Sequence, residues 1–413
     1  MELLANAGMD HCCTARPRAN LPCYPLWRPC PTRPPRTAAG RRILRWYLAT
    51  TVNSRAPRIL VRATNWLGDA VLSLPALAAI RDRFPGAHIA VLARPWVAGL
   101  YRREPFAGEI IPYAPTPFRR GSLLTAWRDR ITLAGALRAR GFDCALLLQN
   151  AFDAALITAL AGIPERIGYA RDLRSPLLTR PIPLPRPGSI PPHESFYYLE
   201  LLRRAGWLDR LPASLTIELR SAPQARAAGL ARFAAEGIDT PIIGLSPGAA
   251  FGTAKRWLPE RFAASACTLA QRLGATVALH GSPSERQLCE SVRALIEGCG
   301  VRAMNYAGQT TLEEFIERAA ASRLFLTNDS GAMHVACALG VPTVAVFGPT
   351  DPAATGPATP LARVVRHPVD CAPCLLRECP IDHRCMTRVQ NETVSQAALD
   401  LIQMAIEWTP ESK

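Results

Sequence analysis

Lysine is nearly absent from this chain. Among 48 lysine and arginine residues, only Lys255 and Lys413 are lysines. A lysine ammonium is a compact charge on a flexible stem, whereas the arginine guanidinium is a planar fork, so the two differ wherever one cation must fit between oxygens. Lys255 is therefore either an ordinary surface charge near a helix start or a phosphate contact, and the unusual residue choice favours the phosphate contact.

Long apolar runs are also lacking. The best short stretch, residues 43–52, is interrupted by Arg45 and falls well short of the roughly 20 apolar residues that span a bilayer. Residues 1–50 contain scattered Pro and Arg without the apolar segment of a secretory signal. These absences predict a cytoplasmic protein, in which the 13 cysteines would be mostly reduced thiols.

Acidic residues are too few to balance the basic ones, and the formal net charge is +15. Residues 1–55 contribute nine arginines against Glu2 and Asp10, a net charge of +7, which leaves +8 for the remaining chain. Such a chain suits an anionic partner: nucleic acid, a phosphorylated substrate or an anionic membrane surface. Residues 1–55 show no hydrophobic period, which predicts a disordered or wrongly assigned N-terminal extension. The alternative is a basic arm for membrane or nucleic acid.

No G-x-G-x-x-G motif occurs, which disfavours an NAD enzyme. Short apolar runs instead alternate with helical patterns twice over, and the first helix, at 70–84, is expected to kink at Pro75. This alternation predicts two doubly wound α/β halves. We place them at residues 56–225 and 226–413, with the boundary between 211 and 240.

Residues 324–350, LFLTNDSGAMHVACALGVPTVAVFGPT, have the pattern of a strand, a turn, a helix and a second strand. Phosphates and ribose hydroxyls commonly bind at such a helix N-terminus beside strand ends. Ser330 and Gly331 offer backbone N–H groups, and Asp329 either orients the turn or contacts the ligand. His334, in the first helical turn, is either a packed residue or a ligand contact.

Asp69 ends the turn NWLGD, between the first predicted strand and its helix. Its commonest task at such a position is to cap the helix. The alternative is a general base, which contributes about 10²–10⁴ in rate. Taken alone, the position favours the cap.

Four cysteines lie within fifteen residues: Cys371, Cys374, Cys379 and Cys385, with His383 nearby. They could bind zinc. Their spacing is tight for an ordinary zinc ribbon, so a compact loop of reduced or adventitiously oxidised thiols is the favoured interpretation.

Four segments, taken together and in order, resemble the ADP-heptose:lipopolysaccharide heptosyltransferases of glycosyltransferase family 9. They are RILVRATNWLGDAVLSLPAL, LSPGAAFGTAKRW, FLTNDSGAMHVACALGVPTVAVFGPTDP and CAPCLLRECPIDHRCM. The resemblance covers residues 58 to 408. Within the family, the NWLGD turn and the Cys-rich loop at 371–385 favour heptosyltransferase II over heptosyltransferase I.

The resemblance implies a GT-B-like fold of two Rossmann-like domains facing across a cleft, the acceptor bound by 56–225 and the donor by 226–413. It implies inverting transfer of L-glycero-D-manno-heptose from ADP-heptose to the first heptose of the lipopolysaccharide inner core, without a required metal or other cofactor. The implied base is Asp69. The implied donor contacts are Lys255 and the group Asp329, Ser330, Gly331 and His334, with Glu285 as a looser match for a ribose contact.

The chemistry agrees with this assignment, because an inverting transfer needs one base and positive or N–H stabilisation of the departing ADP, not the paired carboxylates of a hydrolase. The implied partners are the inner-core acceptor and, peripherally, the cytoplasmic face of the inner membrane, without nucleic acid. Open alternatives are another family 9 transferase, such as heptosyltransferase I or III, and a nucleotide-sugar-binding protein without catalysis.

Overall fold

The computed structural model describes residues 56–117 and 122–408, with the backbone alone for 406–408. The predicted N-terminal extension, residues 1–55, lies outside the described residues. No helix within the described ranges is long and apolar enough to cross a bilayer.

Six parallel strands form the first sheet, in the order β3-β2-β1-β4-β5-β6. The residues of these strands are apolar at successive positions because helices cover both faces of a parallel sheet. The strands are β1 (Arg58–Arg62), β2 (His88–Ala93), β3 (Glu109–Pro112), β4 (Cys144–Leu147), β5 (Glu165–Tyr169) and β6 (Arg180–Ile182). The helices are α1 (Leu67–Leu72), α2 (Leu74–Arg83), α3 (Pro95–Tyr101), α4 (Leu123–Ala139), α5 (Phe152–Leu160) and α6 (Glu194–Arg204).

A second sheet of six parallel strands has the order β12-β11-β10-β7-β8-β9. Its strands are β7 (Ile242–Ser246), β8 (Thr276–Leu279), β9 (Ala303–Asn305), β10 (Leu324–Asn328), β11 (Thr343–Val346) and β12 (Ala362–Val365). Its helices are α7 (Ala222–Ala235), α8 (Pro259–Leu273), α9 (Arg286–Glu297), α10 (Leu312–Ala320), α11 (Gly331–Ala338), α12 (Pro352–Thr355), α13 (Arg384–Thr387) and α14 (Asn391–Trp408). Two such sheets confirm the predicted α/β class.

Local sequence sets the helix ends. Helix α8 begins with Pro259, where a missing N–H costs nothing, and ends at Gly274, whose φ of 60° is left-handed. The single kinked helix predicted for 70–84 is wrong. One helix ends before Ser73 and a second begins after it, so Pro75 is the second residue of α2. A proline there loses no helical hydrogen bond, which explains the break.

The two halves contact each other through α3 and the segment around α7 and α10. Arg102 and Arg103, just after α3, form ion pairs with Glu313 and Glu317 of α10. The neighbouring Glu104 accepts hydrogen bonds from the backbone N–H groups of Arg220 (3.1 Å) and Ser221 (3.1 Å), just before α7. A Cβ atom at Gly229 would overlap the carbonyl oxygen of Glu317, so α7 packs on α10 of the second sheet at backbone distance. The division between residues 225 and 226 falls inside α7 and stays a prediction.

Candidate functional site

Asp69 is the third residue of α1, at the carboxyl end of β1. Trp66 occupies the N-cap position, and no side chain caps this helix, so the interpretation of Asp69 as the cap is wrong. Burial raises the pKa of the Asp69 carboxyl, and the positive charge of Lys255 opposes this rise. Asp69 therefore holds a proton more tightly than a solvated aspartate does, which suits a general base.

Lys255 lies across the cleft, in the short 3-10 turn Thr253–Lys255. Its Nζ is 2.6 Å from Oδ2 of Asp329, and the Thr350 hydroxyl donates to the same oxygen at 2.6 Å. The Lys255 and Asp329 side chains are only 13% and 3% exposed. The lone lysine of the described residues is thus held in a buried ion pair at the carboxyl end of β10.

Asn328, the last residue of β10, joins the loops around this pair. Its Nδ2 donates to the carbonyls of Pro247 (2.8 Å) and Gly248 (3.2 Å), and its Oδ1 accepts from the N–H of Trp257 (2.9 Å). We did not predict this residue, nor Thr350. Their position at or just after the carboxyl ends of β10 and β11 was the only signal in the sequence.

Helix α11 begins at this point and meets the turn that follows β1. A Cβ atom at Gly68 would lie 3.1 Å from Cδ2 of His334, and one at Gly331 would lie 2.9 Å from Cβ of Leu67. His334 is 6% exposed, and burial lowers its pKa to about 4, so it is neutral at pH 7. Its ring packs at the junction of the two halves, and its contact with a ligand stays a prediction.

Ser330 is the N-cap residue of α11, with its hydroxyl 3.2 Å from that of Thr327. It therefore lies between Asp329 and Gly331 at the entrance to the helix. The predicted diphosphate contacts at Ser330 and Gly331 are thus adjacent to the Lys255–Asp329 pair.

Glu285 ties the turn after β8 to the loop after β7. Its Oε2 accepts from the N–H (2.8 Å) and the hydroxyl (2.8 Å) of Ser282. A Cβ atom at Gly248 would overlap its carboxylate, so only glycine permits this approach. Its role as a ribose contact stays a prediction.

Glu194, the first residue of α6, is a second acid beside Asp69 that sequence reasoning missed. Burial raises its pKa to about 7, the charge of Asp69 adds to the rise, and Arg171 opposes it. The preceding residue, His193, donates from Nε2 to the carbonyl of Gly356 in the second half at 3.0 Å. The start of α6 therefore lies at the cleft, with two coupled carboxyl groups on the side of the first sheet.

Comparison with known proteins decides the family. The profile of glycosyltransferase family 9 (heptosyltransferase) matches residues 130–384. This chain belongs to glycosyltransferase family 9. It is therefore an enzyme, a glycosyltransferase.

Curated relatives of this family 9 enzyme include lipopolysaccharide heptosyltransferase 2 of Salmonella typhimurium, which is 33% identical over 75% of this chain and 88% of the relative. Lipooligosaccharide heptosyltransferase 2 of Haemophilus influenzae is 31% identical over 75% of this chain and 88% of the relative.

Solved structures agree with these relatives. The E. coli ADP-heptose lps heptosyltransferase II has a TM-score of 0.70 and 29% identity, covering 84% of this chain and 99% of that chain. The E. coli heptosyltransferase WaaC with ADP, at 20% identity and a TM-score of 0.64, covers 83% of this chain and 99% of that chain and shares the fold. The predicted GT-B-like architecture of two Rossmann-like domains is confirmed.

The four cysteines of the Cys-rich loop form no disulfide among the described residues. Cys371 and Cys374 are exposed, Cys379 is half-buried and Cys385 is buried, and all four are unpaired. Within 56–117 and 122–408, no group of three or more His, Cys, Asp and Glu side chains is placed to hold a metal ion. The zinc alternative therefore gains no support from the described residues.

Proposed function

We propose that this enzyme transfers the heptosyl group of ADP-heptose to the first heptose of the lipopolysaccharide inner core, as a heptosyltransferase II. The relatives named above support the substrates. The observation that carries the proposal is the buried Lys255–Asp329 pair, which lies at the start of α11 and within electrostatic range of Asp69 on the other half. This arrangement pairs a base with an anion site across one cleft.

The proposed reaction is a single in-line displacement. Asp69 removes the proton of the acceptor hydroxyl, whose oxygen forms a bond to the anomeric carbon as the bond from that carbon to the donor phosphate breaks. The configuration inverts and ADP leaves. Lys255 and the N–H groups at the start of α11 stabilise the charge on the departing diphosphate. Since protein groups supply this positive counter-charge, we expect activity without an added divalent metal.

The test is an assay of the purified enzyme with ADP-heptose and two acceptors, the mono-heptosylated and the unheptosylated inner core. We expect ADP release and heptose transfer with the mono-heptosylated acceptor, in buffer containing a chelator. Transfer only to the unheptosylated acceptor would assign the enzyme as heptosyltransferase I. Tight ADP binding without transfer to either acceptor would support a non-catalytic binding protein instead.

We also propose that the first half contacts the cytoplasmic face of the inner membrane, where a lipid-anchored acceptor would lie. The 56–225 segment contains 22 arginines against 13 acidic residues, a net charge of +9, whereas 226–413 has 17 basic against 18 acidic residues. Positive charge therefore accumulates on the proposed acceptor half, which suits an anionic bilayer surface.

Exposed apolar side chains lie on the same half. Trp66, the N-cap residue of α1, and Trp96, in the first turn of α3, are 55% and 59% exposed, and the Trp96 indole donates to the Asn65 carbonyl at 2.9 Å. Leu124 and Ile131 are 81% and 60% exposed on α4, at a separation of seven residues that places them on one helix face. Amphipathic rings and exposed aliphatic groups of this kind insert into a membrane interface.

Replacing Leu124 and Ile131 together with serine is expected to weaken binding to vesicles of an anionic phospholipid by about tenfold, because two apolar side chains no longer enter the interface. Co-sedimentation of the full chain measures this. The matched control replaces Leu230 and Leu295, exposed leucines of the second half, and should bind as the parent does. Equal binding by both double variants, or loss of binding on deleting 1–55 alone, would contradict this surface.

A further inference from the structure

The Cys-rich loop, residues 371–385, docks on both loops that flank the Lys255–Asp329 pair. The N–H of Leu375 donates to the carbonyl of Pro349 at 2.9 Å, one residue before Thr350. The N–H of Ala254 donates to the carbonyl of Arg377 at 3.0 Å, one residue before Lys255. The loop therefore bridges the two segments whose side chains meet at Asp329.

His383 adds a third contact to the same turn. Its Nε2 donates to the carbonyl of Ala254 at 2.7 Å, so both backbone groups of Ala254 are bonded to the Cys-rich loop. A Cβ atom at Gly252 would overlap the carbonyl oxygen of Arg377, which shows that the turn and the loop approach at backbone distance. The position of Lys255 thus depends on the loop.

Arg377 places a second cation beside the turn that carries Lys255. Its guanidinium carbon lies 5.1 Å from the centre of the Phe251 ring, and the Lys255 Nζ lies 5.0 Å from the same centre. Arg377 is exposed, and none of the described residues forms an ion pair with its guanidinium. Lys255, by contrast, is already neutralised by Asp329.

This charge balance matters for the donor. A diphosphate carries at least two negative charges, and the Lys255–Asp329 pair together carries none. Arginine is well suited to supply the missing positive charge because its planar guanidinium group binds two phosphate oxygens at once.

We propose that the Cys-rich loop is part of the donor site, where Arg377 binds the diphosphate and His383 positions the turn that carries Lys255. This inference rests on the proposed function, since it assigns the ligand of the same site.

Calorimetric titration with ADP tests the role of Arg377. Arg377→Ala is expected to raise the Kd for ADP by about tenfold, the effect of losing one charge-assisted contact. The control is Arg323→Ala, an exposed arginine at the opposite, amino end of β10, which should bind ADP as the parent does. A parent enzyme that does not bind ADP would refute the proposed function. An Arg377→Ala variant with the parent's Kd would overturn the role of Arg377 alone.

Steady-state kinetics test the positioning role of His383. His383→Ala is expected to raise the KM for ADP-heptose several-fold and leave the KM for the acceptor unchanged. His383→Gln, whose amide can still donate to the Ala254 carbonyl, should recover most of the loss. An equal rise in both KM values, or no recovery with glutamine, would show a general structural role and overturn the positioning of Lys255 by this residue.

Discussion

An Asp69→Asn enzyme is expected to lose a factor of about 10²–10⁴ in kcat, because the acceptor hydroxyl would no longer have a base to take its proton. Asparagine keeps the size of the side chain and its place in α1. The proposed donor contacts lie on the other half, so the Kd for ADP should stay near that of the parent. Single-turnover transfer measures the chemical step, and titration with ADP measures binding.

The matched control for this change is Asp82→Asn, an exposed aspartate on α2 of the same half, for which we expect parental kinetics. An Asp69→Asn enzyme with undiminished kcat would refute the assignment of the base.

The pH profile gives a second check on Asp69. The base must be ionised, so kcat/KM falls as the pH drops through its pKa. Burial places that pKa above the ordinary aspartate value of 3.8. Glu194, with a pKa of about 7, repels Asp69 when both are ionised. The two acids titrate as a pair, so the fall of kcat/KM on the acid side of the profile reports the ionisation of both carboxyl groups.

Replacing Lys255 with alanine is expected to weaken ADP binding by about 100-fold and to lower the free energy of unfolding by about 3 kcal/mol. The first effect follows from losing a phosphate contact, and the second from leaving Asp329, only 3% exposed, as an unpaired buried carboxylate. Chemical denaturation measures the second effect.

A double variant separates the two roles of Lys255. Lys255→Ala combined with Asp329→Ala removes the unpaired carboxylate, so most of the stability should return. ADP binding should not return, because the cation is still missing. Recovery of both properties together would show that Lys255 serves the fold and not the donor.

Sequence reasoning predicted the parts of this molecule that depend on local pattern. The strand, helix and second strand predicted within 324–350 are β10, α11 and β11. Lys255 was predicted from its rarity in an arginine-rich chain, and Asp69 was predicted as the base from the resemblance to the family. Helix α4 was not predicted, because its exposed leucines and tryptophan obscure the helical period.

Partners distant in the chain could not be predicted. Thr350 matters because its hydroxyl reaches Asp329. Asn328 matters because its amide bonds to the loop at Pro247 and Gly248 and to the N–H of Trp257, 71 to 81 residues away. Glu194 is significant only because folding places its carboxyl near Asp69 and away from solvent. The Cys-rich loop was noticed for its thiols, whereas its backbone and Arg377 make the contacts with the site.

The meeting of Gly68 with α11 sets how accurately the site is aligned. Gly68 precedes Asp69, the proposed base, and Gly331 follows Ser330 at the proposed anion site. The two segments pack closely, with the His334 ring beside Gly68 and the Leu67 side chain beside Gly331, so this packing sets the distance between the proposed base and the proposed anion site. Misplacement of a reacting group by about 1 Å can cost about 10²-fold in rate. A side chain at Gly68 or Gly331 would push α1 and α11 apart and change the distance between the proposed base and the proposed anion site.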